Sequence, residues 1–264
     1  MLTLKNPFLV TLFALGGIVL AWWIYLQSFS THQTTLNFLF NGGYGLLYLL
    51  GAVVGLRGAF KFSLDKAEGK GFLFLGLSLL FYAIGQYIWL YYNLVLLVDS
   101  PFPSLADIPF TLFYPFAAFG LWELLKTFKS VVTPRMIWEG VAILALSAGL
   151  AFFVFNKPDL SPNTSVIERF FNIAYPLGDT LLITLALVSL RIYVGKIYAG
   201  FRILIVGLTI ETVADFIFLS RSGSGTYWNG DLSDLLYSVG AFLITLGLFY
   251  TIQAFSKKVE VLRR

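Results

Sequence analysis

The sequence predicts an all-α polytopic membrane protein: eight transmembrane helices in a single transmembrane domain over residues 1–264, with both termini cytoplasmic. Three observations carry that expectation. Apolar residues make up 58% of the chain and charged residues 12%, with a mean hydropathy of +0.81, whereas an ordinary soluble domain carries roughly 25% charged residues. Eight apolar segments are each long enough, at about 20 residues, to cross a bilayer. Basic residues, finally, concentrate on alternate loops.

The first segment, Pro7–Tyr25, is followed by LQSFSTH, which offers no small-x-small cleavage site, so it reads as a retained helix rather than a signal peptide. Leu36–Leu56 is the second. The third, Gly71–Leu97, is long for a perpendicular span and implies tilt or extension past the interface. Ile108–Leu125 follows the proline-rich PFPSLAD and contains Tyr114-Pro115; Met136–Phe155 is the fifth. Phe170–Leu190 contains a second Tyr-Pro pair, Tyr175-Pro176, and Ile203–Leu219 and Leu235–Ala254 complete the set. Trp22, Trp23, Tyr91, Tyr92 and Trp228 lie near segment ends, where aromatic rings anchor at interfaces.

Loop charges test this count. One set of loops holds Lys5, Arg57, Lys61, Lys66, Lys70, Lys126, Lys129, Arg135, Arg191, Lys196, Arg202, Lys257, Lys258, Arg263 and Arg264; the other holds only Lys157, Arg169 and Arg221. A split of 15 to three in strict alternation fits eight spans with cytoplasmic termini. The net charge of +4 then reflects cytoplasmic loops and membrane lipid, not nucleic acid. Lacking cysteine, the chain forms no disulfide and has no thiol nucleophile or thiolate metal site. A single histidine, His32, lies in a predicted loop, which argues against His-based metal sites and catalysis.

The chain also repeats itself. FNGGY (Phe40–Tyr44) returns as FNIAY (Phe171–Tyr175), QYIWL (Gln86–Leu90) as DFIFL (Asp215–Leu219), and SLAD (Ser104–Asp107) as DLSD (Asp231–Asp234), with Gly120-Leu121 and Gly247-Leu248 keeping the last register. Matches in this order predict a duplicated four-helix unit, with half-repeats 1–130 and 131–264. An even number of spans per unit leaves both halves in the same orientation, with the pseudo-twofold along the membrane normal.

A carboxylate inside a bilayer costs at least about 2.5–3.5 kcal/mol and calls for a partner or a proton. Asp179 and Glu211 fall near the middle of their segments; Asp215 is nearer the outside, and Asp107, Asp231 and Asp234 sit at the outer interface. Asp107 and Asp231 each precede an apolar run, where helix capping is the leading expectation; Asp234 is divided between capping and a site. Glu211 and Asp215, four residues apart, share a helix face and require a proton or a cation between them. Arg169 and Arg221 lie on the same outer side. The two Tyr-Pro pairs either kink their helices or widen a cavity beside Asp107 and Asp179.

QYIWLYYNLVLLVDSPFPSLADIPFTLFYP resembles a pattern in the multi-span N-terminal membrane regions of bacterial and archaeal signalling proteins, those attached to GGDEF/EAL and histidine-kinase outputs. There a P-[YF]-P-S-x-A-D run enters a helix containing Tyr-Pro. ETVADFIFLSRSGSGTYWNGDLSDLLYSVGAFL is similar to the later part of the same region. The resemblance covers roughly residues 70–255 and implies a membrane sensor. It departs from the family in that only SKKVEVLRR follows the last helix, so a signal would need a separate cytoplasmic partner or a longer parent chain.

These observations lead to a sensor or ligand-binding module whose acidic, aromatic-lined cavity opens toward the outer face and takes a cation or small amphiphile. Asp107, Tyr114, Tyr175, Asp179, Glu211, Asp215 and Asp234 are the candidate ligand-binding residues; no cofactor, metal or catalytic residue is specified. The alternatives are a proton- or cation-coupled transporter using the same acids as a relay and an intramembrane lipid hydrolase using paired carboxylates. PLGD (Pro176–Asp179) lacks the leading glycine and the Tyr-Asp partner of presenilin-type aspartyl proteases, so it does not support that activity.

Overall fold

The structure, a computed structural model, describes residues 6–99, 101–127, 133–155, 165–192 and 198–262. Regular structure among them is entirely helical: α1 (Pro7–Leu26), α2 (Thr35–Phe62), α3 (Ala67–Leu94), α4 (Asp107–Lys126), α5 (Pro134–Phe155), α6 (Val166–Ile192), α7 (Tyr198–Gly223) and α8 (Leu232–Leu262). Seven of these, all but α5, are long and apolar enough to cross a membrane, an architecture compatible with a polytopic membrane protein. The loop residues Lys5, Lys129, Lys157, Lys196, Arg263 and Arg264 lie outside the described residues.

α2 packs on α3, α3 on α4, α4 on α6, α6 on α7, α7 on α8, and α8 back on α2, closing a ring of six helices. Outside the ring, α1 lies against α2 and α8, and α5 against α6. The end at which α2, α4, α6 and α8 begin is called the top below. Polarity inside and outside this ring is the reverse of that in a soluble bundle. Ile18, Phe60, Phe119, Trp122 and Ile173 are each more than half exposed, while Asn41, Gln86, Asp179, Glu211 and Asp215 are buried. An apolar exterior costs nothing against lipid tails, so packing and interhelical hydrogen bonds are left to hold the helices together.

Close packing is visible where α3 crosses α4 and where α7 crosses α8. A Cβ on Gly120 would stand 2.9 Å from the Leu75 backbone nitrogen and 3.0 Å from the Gly71 carbonyl oxygen; one on Gly247 would stand 2.7 Å from the Gly200 carbonyl oxygen. Neither backbone can yield to a side chain, so glycine is required at both crossings, the small-residue solution to helix contact in lipid.

Several helices outrun their predicted limits at the bottom. α2 continues from Leu56 to Phe62, α3 begins at Ala67 instead of Gly71, α7 at Tyr198 instead of Ile203, and α8 runs to Leu262 instead of Ala254. Hydropathy marks where apolar residues stop, but Arg, Lys and Glu are good helix formers and carry the backbone ladder onward. α2 ends where Ser63 adopts φ 68°, a conformation that breaks the helix.

Candidate functional site

The top half of the ring encloses a cavity of about 40 Å³. α4 contributes Asp107 and Tyr114, α6 Tyr175, α7 Asp215, and α8 Asp234 and Tyr237. Asn41 and Tyr44 from α2, Tyr82, Gln86 and Trp89 from α3 and Tyr227 from the α7–α8 loop complete its polar wall. Among the described residues, no lysine, arginine or histidine lines it.

Phenols hold the carboxyl groups. Asp215 accepts one on each oxygen, Tyr237 donating to Oδ1 at 2.6 Å and Tyr114 to Oδ2 at 2.9 Å. Tyr175 donates to Asp107 Oδ1 at 2.7 Å. Asp234 accepts from Tyr44 and Tyr227, each at 3.2 Å, and from the Gly230 backbone N–H at 2.6 Å. Gln86 in turn donates to the Tyr44 hydroxyl at 2.9 Å. Outside the spans, burial raises the Tyr227 phenol well above the usual tyrosine range, with Asp234 and Asp231 adding to it. That keeps Tyr227 a donor.

Five of the seven predicted residues therefore line one cavity: Asp107, Tyr114, Tyr175, Asp215 and Asp234. Asp179 and Glu211 lie outside its wall. Each is at the midpoint of its helix, α6 and α7 respectively, and almost wholly buried. The Tyr114 ring packs on the neighbouring Gly178, and Asp215, Glu211 and Tyr114 are the groups that interact with Asp179. Neither Asp179 oxygen makes a hydrogen bond of ordinary geometry. Glu211 Oε1 accepts from Tyr48, which stacks on Tyr82 with centroids 4.1 Å apart; Oε2 is unpartnered and faces Gly240.

Capping of α4 by Asp107 is not what the structure shows. Ala106 is the N-cap and makes no side-chain cap; Asp107 is the first helical residue and reaches back to accept from Ser104 N–H at 2.6 Å. The PFPS turn folds over the helix start, so the carboxylate meets that turn and Tyr175 instead of the helix's own free amides. Asp231 does cap α8, accepting from Ser233 N–H at 2.7 Å, and pairs with Arg221 at 3.0 Å. Arg221 is thus committed to Asp231.

Sequence reasoning missed Tyr44, Tyr48, Tyr82, Gln86, Trp89, Tyr227 and Tyr237, because single aromatic residues carry no signal in a chain with 14 tyrosines and 27 phenylalanines. It also missed Asn229. This wholly buried residue of the α7–α8 loop accepts on Oδ1 from Trp89 Nε1 at 2.9 Å and Asn41 Nδ2 at 2.5 Å. Its Nδ2 donates to Gln33 Oε1 at 2.7 Å and to the Asp99 carbonyl at 2.9 Å. Gly230, at φ 101°, lets the chain turn beside it. Asn229 thereby ties the loop across the top of the cavity to α2, α3 and the α3–α4 connection. The only sequence hint is the turn-forming Asn-Gly pair in YWNGD.

No protein-family model matches the chain, and no curated protein or solved structure matches it either.

Proposed function

We propose that the chain is an eight-span membrane module, with α5 as the eighth span and both termini cytoplasmic. In this reading it binds a small cation in the tyrosine-lined acidic cavity of its outer half and reports occupancy to a cytoplasmic partner through helix shifts. One observation carries the proposal: Asp107, Asp215 and Asp234 line the cavity, Asp179 and Glu211 are buried outside its lining, and no basic side chain among the described residues is in its wall. Carboxylates so placed require a counter-charge or a proton. Size selects the class of ligand. A water-sized group needs at least about 10–15 Å³, so a cavity of about 40 Å³ suits a bare cation or proton-carrying groups better than an amphiphile.

Topology and repeat are part of the proposal. The bottom carries Arg57, Lys61, Lys66 and Lys70 around the α2–α3 turn and Lys126, Arg202 and Lys257 at other helix ends, in keeping with a cytoplasmic bottom. In the register of the repeat, the α2–α8 contact corresponds to α4–α6, and the Gly71–Gly120 crossing to Gly200–Gly247. The bond from Tyr44 to Asp234 likewise corresponds to that from Tyr175 to Asp107. These matched contacts support a duplicated four-helix unit.

A second reading, a cation-coupled transporter, is favoured by Pro115 and Pro176, which stand inside α4 and α6 directly after Tyr114 and Tyr175 and offer hinge points. Thermal unfolding in lipid nanodiscs with added cations tests binding, Asp215→Asn being the variant that should abolish the response. Flux into proteoliposomes separates the readings: a sensor shows binding without transport.

A further inference from the structure

Three carboxyl groups sit in the cavity wall or buried outside it, and their surroundings divide them. Asp215 has two phenol donors, one per oxygen, the environment that stabilises a carboxylate anion. Asp179 has none on either oxygen, although it is completely buried at the midpoint of α6. Glu211 has one donor, Tyr48, and one bare oxygen. The titratable groups outside the cluster that interact with it are Tyr48 on α2, Tyr82 on α3, Tyr114 on α4, Tyr175 on α6 and Tyr237 on α8, all of them phenols. No group of three or more metal-ligating side chains occurs among the described residues, and hard divalent cations need six or more oxygen ligands.

The repeat register adds an independent point. Tyr48, Tyr82 and Gln86 stand in the first half where Asp179, Glu211 and Asp215 stand in the second, at the offsets that relate Tyr44 to Tyr175 and Gln86 to Asp215. One half therefore supplies the acids, and the other faces them with neutral hydrogen-bonding groups, as Tyr48 does with Glu211.

We propose that Asp179 and Asp215 form a proton-binding pair, Asp179 holding the proton and Asp215, in the cavity wall, exchanging it with the cavity. This rests on the reading of the cavity as a cation site and identifies the cation as the proton. When Asp179 releases its proton, the O–H bond at Asp179 breaks and one forms at Asp215, so the negative charge moves to Asp179 with no net change. Transfer from Asp215 to a water molecule, for which a cavity of about 40 Å³ has room, then forms hydronium and leaves the pair one unit more negative. An isolated buried carboxylate is strongly disfavoured, so the charge on Asp179 must be met by movement of its neighbours, Tyr114 first among them. α4 and α6 carry Tyr114 and Asp179, which makes their contact the element that proton loading would shift.

Infrared spectroscopy of the full chain in nanodiscs tests this. Wild-type protein at neutral pH should show a protonated-carboxyl C=O band that shifts on exchange into D2O. Asp179→Asn should remove that band, and Asp215→Asn should move its frequency by changing its hydrogen-bonding partner. If Asp179→Asn does not fold, Asp179→Glu should move the band and not abolish it. Absence of the band from wild type, or a band untouched by the Asp179 variant, overturns the proposal. Titration of the same samples with Na⁺, K⁺ and Ca²⁺ separates its failure from that of the cation site: stabilisation by a metal cation with no carboxyl band leaves the site and removes the proton.

Discussion

Replacing Asn229 with alanine tests how the top of the cavity is held. The side chain is fully buried and makes four close hydrogen bonds, two as acceptor from Trp89 Nε1 and Asn41 Nδ2 and two as donor to Gln33 and the Asp99 carbonyl. Alanine strands the Trp89 and Asn41 donors, both of them in buried residues. Each stranded donor costs about 1–3 kcal/mol, so Asn229→Ala should lose about 2–6 kcal/mol. That corresponds to a fall in Tm of about 4–24 °C at 2–4 °C per kcal/mol. The assay is thermal unfolding of the purified chain in nanodiscs, compared with Ser224→Ala, an exposed residue of the same loop whose substitution should stay within about 0.5 kcal/mol. Equal stability of the two variants would refute the view that Asn229 fastens this loop to the ring.

Two further outcomes follow from the packing and the loop. Gly247→Val drives a side chain into the α7 backbone at Gly200 and Leu204 and should cost at least about 1–3 kcal/mol in the same unfolding assay, whereas Gly17→Ala, with nothing within 4 Å of the added methyl, should be neutral. Tyr227 has its phenol raised by burial, so its contribution to stability is complete below the ordinary tyrosine value of about 10 and is lost as pH rises from there through the folded-state value; Tyr227→Phe should flatten the alkaline limb of a stability–pH curve and leave the neutral region's slope unchanged.

Helices were the most legible feature: each of the eight predicted apolar runs is helical, and seven of these helices are long and apolar enough to cross a membrane. Their bottom ends were the least legible: Arg57, Lys61 and Lys257 stop the hydropathy signal without stopping the helix. Among the acids, position along the helix put Asp179 and Glu211 near the middle of their segments, where both are buried, but could not show that neither lines the cavity. That depends on how α4 and α6 pack, which is a tertiary fact. Asp107 misled for a related reason, since an acid before an apolar run looks like a cap until the preceding turn is seen to fold over it. The ring itself, with α1 and α5 outside, was not foreseen: Pro7–Leu26 is as apolar as any ring helix, and only its contacts reveal that it packs chiefly against α2 and α8.

The claim that matters most is that a small cation occupies the acidic cavity through Asp215. A ligand present at 100 times its Kd and bound only by the folded state adds about 2.7 kcal/mol of stability, or about 5–10 °C in Tm. Thermal unfolding in nanodiscs across Na⁺, K⁺, Mg²⁺, Ca²⁺ and pH, run side by side on wild type and Asp215→Asn, measures this directly. One of these cations, the proton included, should stabilise wild type by several degrees, and Asp215→Asn should lose the response. A wild type indifferent to all of them, or an Asp215→Asn variant that responds as wild type does, would contradict that claim.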